Sequence, residues 1–197
     1  MNLPNKLTVL RLIMVPVFFI AYKIASLAGD AATMVGTILM LICYATAEVS
    51  DFLDGRIARK HNLVTDLGKV MDPYADTLSH LTYFVCFIDM GLMPAWAFVI
   101  IMWREFSIIF LRMLMMRTGK ALPANIWGKS KTVLYAVSAF AAIVYVGYAN
   151  ISGAAFGGAM VTVLYVLFSL SAIASLLSFI TYGVAIIKSK ALSGMTR

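Results

Sequence analysis

Six of the nine acidic residues in this 197-residue chain fall between Glu48 and Asp76. Four of them belong to one spaced pattern, Asp51-x2-Asp54-Gly55-x2-Ala58-Arg59-x8-Gly68-x3-Asp72-x3-Asp76. Residues three or four apart share a helix face, so Asp51 pairs with Asp54 on one helix and Gly68, Asp72 and Asp76 line a face of the next. A short connection makes the two helices antiparallel neighbours and lets the carboxylate pairs face each other. Carboxylates gathered this closely repel and drift toward neutrality unless cations compensate them. The pattern itself contains only Arg59 as a cation, so the balance must come from outside the chain. All-oxygen ligation suits Mg²⁺, Mn²⁺ or Ca²⁺, and no His or Cys stands at the spacing a zinc site needs. Two such metals hold a diphosphate and stabilise charge at a phosphorus under attack. Gly55 and Ala58 keep the helix face free of bulk, Arg59 offers a forked donor to phosphate oxygens, and Gly68 lets the following helix start close to the same ligand.

The elements that must position these groups are membrane helices. Hydrophobic residues make up 62% of the chain and charged residues 13%, with a mean hydropathy of +0.91. Ordinary soluble domains carry about a quarter charged residues, so lipid must solvate much of this apolar surface. The sequence predicts one all-α integral membrane domain over residues 1–197, with six transmembrane helices near 7–28, 32–59, 67–90, 94–117, 129–149 and 156–188. Breaks are expected at Ala28 to Asp30, His61-Asn62, Gly91 with Pro94, Gly119 to Pro123, and Asn150 to Gly153. The opening Asn2 to Thr8 is expected as a short interfacial segment ahead of the first span. It lacks the order of a cleaved signal peptide. Cys43 and Cys86 sit in apolar runs and read as buried, inert thiols.

Basic residues cluster at alternate ends of these spans. Lys6 and Arg11 open the first. Arg56, Arg59, Lys60 and Lys69 surround the second connection, Arg112, Arg117, Lys120, Lys129 and Lys131 the fourth, and Lys188, Lys190 and Arg197 close the chain. The opposite connections carry almost none beyond Lys23. The positive-inside rule then places both termini and the acidic pattern on the cytoplasmic side of the cell's inner membrane. The net charge of +7 points to anionic headgroups and phosphorylated substrates. Nucleic acid is excluded as a partner, because the basic residues punctuate apolar spans without forming a continuous patch. An ion-coupled transporter is the rival class, since acids in membrane helices also mark ion paths. Against it, the chain lacks inverted repeats and broken mid-membrane helices.

The segment Asp51 to Asp76 resembles, without gap or mismatch, the signature of the CDP-alcohol phosphotransferases. These membrane enzymes displace CMP from a CDP-linked alcohol with the hydroxyl of a second alcohol. The resemblance implies a six-helix homodimer among membrane lipids, with a cytoplasm-facing polar cavity and two divalent ions, Mg²⁺ or Mn²⁺, in each active site. It implies metal binding by Asp51, Asp54 and Asp72, with Asp76 as general base on the acceptor hydroxyl and a further metal contact. Asp51, Gly55, Ala58, Arg59 and Gly68 would meet the CDP portion.

Beyond that signature, Asn2-Leu-Pro-Asn-Lys-Leu-Thr-Val-Leu-Arg11, Arg104-Glu105 and Trp127-Gly-Lys-Ser-Lys-Thr132 are similar to the bacterial phosphatidylglycerophosphate synthase branch. The similarity is dense to about Thr132 and only one of hydropathy afterwards. The implied substrates are CDP-diacylglycerol and sn-glycerol 3-phosphate; with no serine or histidine placed for a covalent step, direct displacement is expected. Basic residues give the acceptor phosphate a place: Lys129 and Lys131, with Arg104 or Arg112, can surround it. Arg104 and Glu105, adjacent and pointing apart, are each expected to need a separate partner. His80, one turn beyond Asp76, reads as a helix-packing residue, with a place in the polar cavity as the alternative. One departure is Thr77, where many of these synthases carry Lys after the fourth aspartate. Inositol phosphate, serine or inositol are the alternative acceptors.

Overall fold

The computed structural model describes residues 2–26, 30–61, 63, 65–117 and 126–188. Six helices account for nearly all of them: α1 Leu3–Ala25, α2 Asp30–Lys60, α3 Asp66–Asp89, α4 Ala95–Arg117, α5 Ile126–Ser152 and α6 Gly158–Lys188. No strand occurs among the described residues. The expected breaks around Ala28, Asn62 and Gly119 to Pro123, and the basic residues Lys120, Lys190 and Arg197, lie outside the described residues.

The start of α1 differs from expectation. Asn2 caps the helix, its side chain accepting from the Asn5 amide at 3.1 Å, and Pro4 supplies a first-turn φ. Asn2 to Thr8 is therefore the cap and first turns of α1, not a separate segment ahead of it. Four helices, α1, α2, α5 and α6, are long and apolar enough to cross a membrane. By composition α3 and α4 fall short, because they carry Asp66, Lys69, Asp72, Asp76 and Asp89, and Arg104, Glu105 and Arg112.

Packing divides the helices into two groups. α1 lies against α2 and α3, while α2 and α3 touch each other only sparsely. α6 packs on α5 and α4, and α3 reaches across to α4 and α5. The antiparallel confrontation of α2 and α3 expected from their short connection is thus mediated by α1, wedged between them. Gly36 permits the tightest part of this wedge. A Cβ there would sit 2.2 Å from the Ala25 backbone nitrogen and 2.6 Å from the Ala21 carbonyl oxygen. At the turn from α3 to α4, Gly91 takes φ +73°, which favours glycine, and the Leu92 amide closes onto the Phe87 carbonyl at 2.8 Å.

Aromatic side chains join the groups from within. Phe18 of α1 meets Tyr83 of α3 at 4.4 Å between ring centroids, and Phe84 meets Tyr135 of α5 at 5.5 Å and Phe168 of α6 at 5.4 Å. Cys43 and Cys86 are buried and free, as expected. Large apolar side chains also cover the outside: Ile151 and Ile187 are 77% and 78% exposed, and Trp103, Phe106 and Phe110 point outward from α4. Water would penalise that surface and hydrocarbon does not.

Candidate active site

Two charged clusters lie between these helices, and Asp76 stands where they meet. The first is acidic. Arg11 is 2% exposed, and its guanidinium lies 2.6 Å from Asp51 Oδ1 and 2.5 Å from Asp54 Oδ2. One turn earlier on α1, the Thr8 hydroxyl lies 2.7 Å from Asp72 Oδ1 and 3.5 Å from Asp54 Oδ2. Asn5, a further turn back, accepts from Thr65 at 3.2 Å, and Thr65 in turn caps α3 by accepting from the Gly68 amide at 3.0 Å. Asn5, Thr8 and Arg11 form one polar edge of a mostly apolar helix, and that edge gathers aspartates from both α2 and α3.

In the sequence Arg11 stands among the basic residues that orient the chain and, with Asn5 and Thr8, in the stretch from Asn2 that carries the resemblance, but none of the three has a chemical role there. The available signal was their three-residue spacing, which puts polar groups on one helix face. Gly68 is buried beside this edge, where a Cβ would stand 3.1 Å from Asn5 Oδ1 and 3.2 Å from Thr65 Oγ1. Gly55 and Ala58 are half-buried near the end of α2, and the exposed Arg59 folds its guanidinium back over Gly55, 3.6 Å from where a Cβ would be.

The second cluster is basic. Arg104, Arg112, Lys129 and Lys131, the four expected acceptor residues, line one cavity of about 580 Å³ together with Asp76, Thr77 and Glu105. Lys129 is exposed and Arg112 half-buried, whereas Arg104 and Lys131 are buried. Glu105 organises the buried pair, taking Arg104 Nη1 at 3.0 Å and Lys131 Nζ at 2.5 Å on the same oxygen. The Tyr135 hydroxyl also approaches that oxygen at 3.0 Å, and Arg104 donates to Ser178 at 2.6 Å. Arg104 and Glu105 each have the separate partner expected, Ser178 and Lys131, but they do not point apart: their planar ends also curl together, because burial makes a lone charge costlier than a bent pair.

Asp76 has partners of its own. His80 Nδ1 lies 3.2 Å from its carboxylate and 3.0 Å from its carbonyl oxygen, and His80 Nε2 is 3.7 Å from Glu48. The same imidazole packs among the rings of Tyr83, Phe84 and Tyr135, so His80 both packs and touches the site. Asp76 lies within electrostatic range of Asp51 on one side and Lys131 on the other.

Comparison with known proteins adds identity to this geometry. The family model for CDP-alcohol phosphatidyltransferases matches residues 1–187. The chain belongs to that family. It is therefore a transferase and a multi-pass membrane protein. The chain is 38% identical over 136 residues to a Bacillus subtilis CDP-diacylglycerol–glycerol-3-phosphate 3-phosphatidyltransferase, a match covering 66% of this chain and 70% of the relative. A Treponema pallidum protein of the same name is 35% identical over 144 residues, 68% of this chain and 65% of the relative. One from Rickettsia bellii is 35% identical over 133 residues, 68% and 70% of the two chains.

The family implies divalent metal, and the donor chemistry of the acidic cluster fits it. Three carboxylates with one guanidinium leave two negative charges, and every donor is oxygen. Among the described residues, no three Asp, Glu, His or Cys side chains converge into a ready-formed metal cage.

Proposed function

We propose that this protein transfers the phosphatidyl group of CDP-diacylglycerol to sn-glycerol 3-phosphate, giving phosphatidylglycerol phosphate and CMP. The cavity around Asp76 carries the choice of acceptor. Four cations lining it against two carboxylates leave two positive charges, a match for a phosphate dianion beside a candidate base. Serine or inositol, lacking a phosphate, would leave that excess unanswered. The relatives named for this reaction support the same reading.

Asp51, Asp54 and Asp72 would hold the divalent metal, Mg²⁺ or Mn²⁺ and two ions in each site. Bound there, it would neutralise the diphosphate and stabilise charge developing at phosphorus. Arg59, beside Gly55 and Ala58, lies at the end of α2 where a nucleotide phosphate could meet its fork. Arg112 and Lys129 draw the acceptor into the cavity, and Arg104 with Lys131 fixes its phosphate deeper inside. Asp76 accepts the proton of the acceptor hydroxyl as that oxygen attacks the β-phosphorus. The bond from that phosphorus to the bridging oxygen breaks, and the electron pair leaves with CMP. His80 holds the Asp76 carboxylate toward the cavity through its 3.2 Å contact.

On this reading all six helices span the inner membrane as one domain, with both termini and the site at the cytoplasmic face and the protein a homodimer. The positive-inside distribution of Arg56, Arg59, Lys60, Lys69 and Lys129 supports that orientation. The test is purified protein with labelled CDP-diacylglycerol and a panel of acceptors. CMP release with glycerol 3-phosphate alone is expected. Release only with inositol 1-phosphate would transfer the reading to that acceptor, which Thr77 in the cavity wall keeps in play. No release with any acceptor, alongside ion flux in liposomes, would overturn the enzyme mechanism in favour of transport.

A further inference from the structure

The polar edge of α1 has a property that the transfer chemistry does not require by itself. It meets one oxygen of each aspartate assigned to metal: Arg11 Nη1 forms an ion pair with Asp51 Oδ1, Arg11 Nη2 donates to Asp54 Oδ2, and Thr8 donates to Asp72 Oδ1. The other oxygen of each, Asp51 Oδ2, Asp54 Oδ1 and Asp72 Oδ2, receives no hydrogen bond from the described residues. Arg11 is also among the bulkiest fully buried side chains of the described residues, and burying a cation so completely is costly unless carboxylates face it. A helix–helix packing role needs no such arrangement, since an apolar residue would fill the same space at lower cost.

We propose that Thr8 and Arg11 are positioning residues of the metal site, fixing the rotamers of Asp51, Asp54 and Asp72 so that one oxygen of each stays open to a divalent cation. Three carboxylates on two helices that scarcely touch are met by side chains from one edge of α1. Without these contacts each carboxylate would be free to turn away. Arg11 also lowers the formal charge of the cluster from three negatives to two. This inference rests on the aspartate cluster being the metal site of the transferase, and it extends that reading to two residues outside the acidic pattern.

The test is direct Mn²⁺ binding, read by electron paramagnetic resonance on detergent-purified protein without nucleotide or acceptor. Thr8→Val removes one hydroxyl at nearly constant volume, and Arg11→Gln removes the fork. Each is expected to weaken Mn²⁺ binding about tenfold or more, the size typical of lost outer-sphere support. Arg11→Lys, which keeps the charge without the fork, should recover part of the loss. Elution as a monodisperse peak with wild-type helicity establishes that a variant is folded, and Thr8→Val serves if Arg11→Gln is not. Unchanged Mn²⁺ affinity in a folded Thr8→Val protein overturns the proposal. Tighter binding in Arg11→Gln does so too, since Arg11 would then be only a counter-ion that metal must displace. Because no substrate is present, these results stand apart from the acceptor panel: wild-type protein can pass that assay while this inference fails, and the reverse.

Discussion

Around Asp51, Asp54 and Asp72 the compensating groups come from a separate helix, whereas around Arg104 and Lys131 the compensating carboxylate, Glu105, is the next residue in the chain. The acidic region is therefore assembled by tertiary packing, with α1 reaching both α2 and α3. The basic region is organised locally on α4 and then extended to Lys131 on α5 and Ser178 on α6. Each region is left with charge of the sign that its ligand must neutralise, negative in the first and positive in the second. Asp76 borders both, which suits a base acting on a hydroxyl carried by an anion while the phosphorus lies beside metal.

The sharpest way to break this division is to remove what the acidic region requires. Chelation of divalent ions should abolish CMP release, and added Mg²⁺ or Mn²⁺ should restore it. Activity indifferent to a chelator would leave the acidic region without its assigned role. Next in size, Asp76→Asn should lower kcat by about 10²- to 10⁴-fold, the usual contribution of a positioned base. Mn²⁺ binding should survive in that variant, because the three other aspartates keep their α1 partners.

A smaller and more selective effect is expected on the basic side. Lys131→Gln should raise KM for glycerol 3-phosphate about 10- to 100-fold, the equivalent of one charge-assisted hydrogen bond, while KM for CDP-diacylglycerol stays near its original value. An equal change in both constants would mean that the two regions do not divide the substrates. The smallest effect on chemistry is expected from Gly36→Ala, remote from both clusters. Backbone crowding there should cost about 1–3 kcal/mol of stability, read as a lower thermal midpoint in detergent, with specific activity of the folded fraction retained.

Much of the site is legible in the sequence because its spacing is helical. Asp51 and Asp54, or Asp72 and Asp76, share faces whatever the tertiary arrangement, and Arg104 stands inside an apolar run where the positive-inside distribution does not explain it. Arg11 is legible as a charge and as the end of the stretch from Asn2 that carries the resemblance, but not as a partner of the aspartates. Its role depends on α1 entering between α2 and α3, a fact of packing that no local period encodes. Thr8 and Asn5 are harder still, since a threonine or asparagine near a helix start ordinarily serves the backbone. Glu105 was visible as the neighbour of Arg104, yet its link to Lys131 spans two helices and an intervening connection. The expected boundary of α1 failed for a related reason: Asn2 and Pro4 start the helix early so that its first turns can reach the aspartates.

The wedge formed by α1 also bears on the order of synthesis. Every described side chain of the acidic cluster belongs to the first three helices, so the ribosome delivers all of them before α4 begins. Arg11 can meet Asp51, Asp54 and Thr8 can meet Asp72 while the later helices are still untranslated, sparing the nascent chain a period with unpaired charges in the bilayer. The basic cavity has no such head start: Arg104 and Glu105 must wait for Lys131 and finally for Ser178 on the last helix. Substitutions in α6 should therefore harm biogenesis through the anion-binding side first.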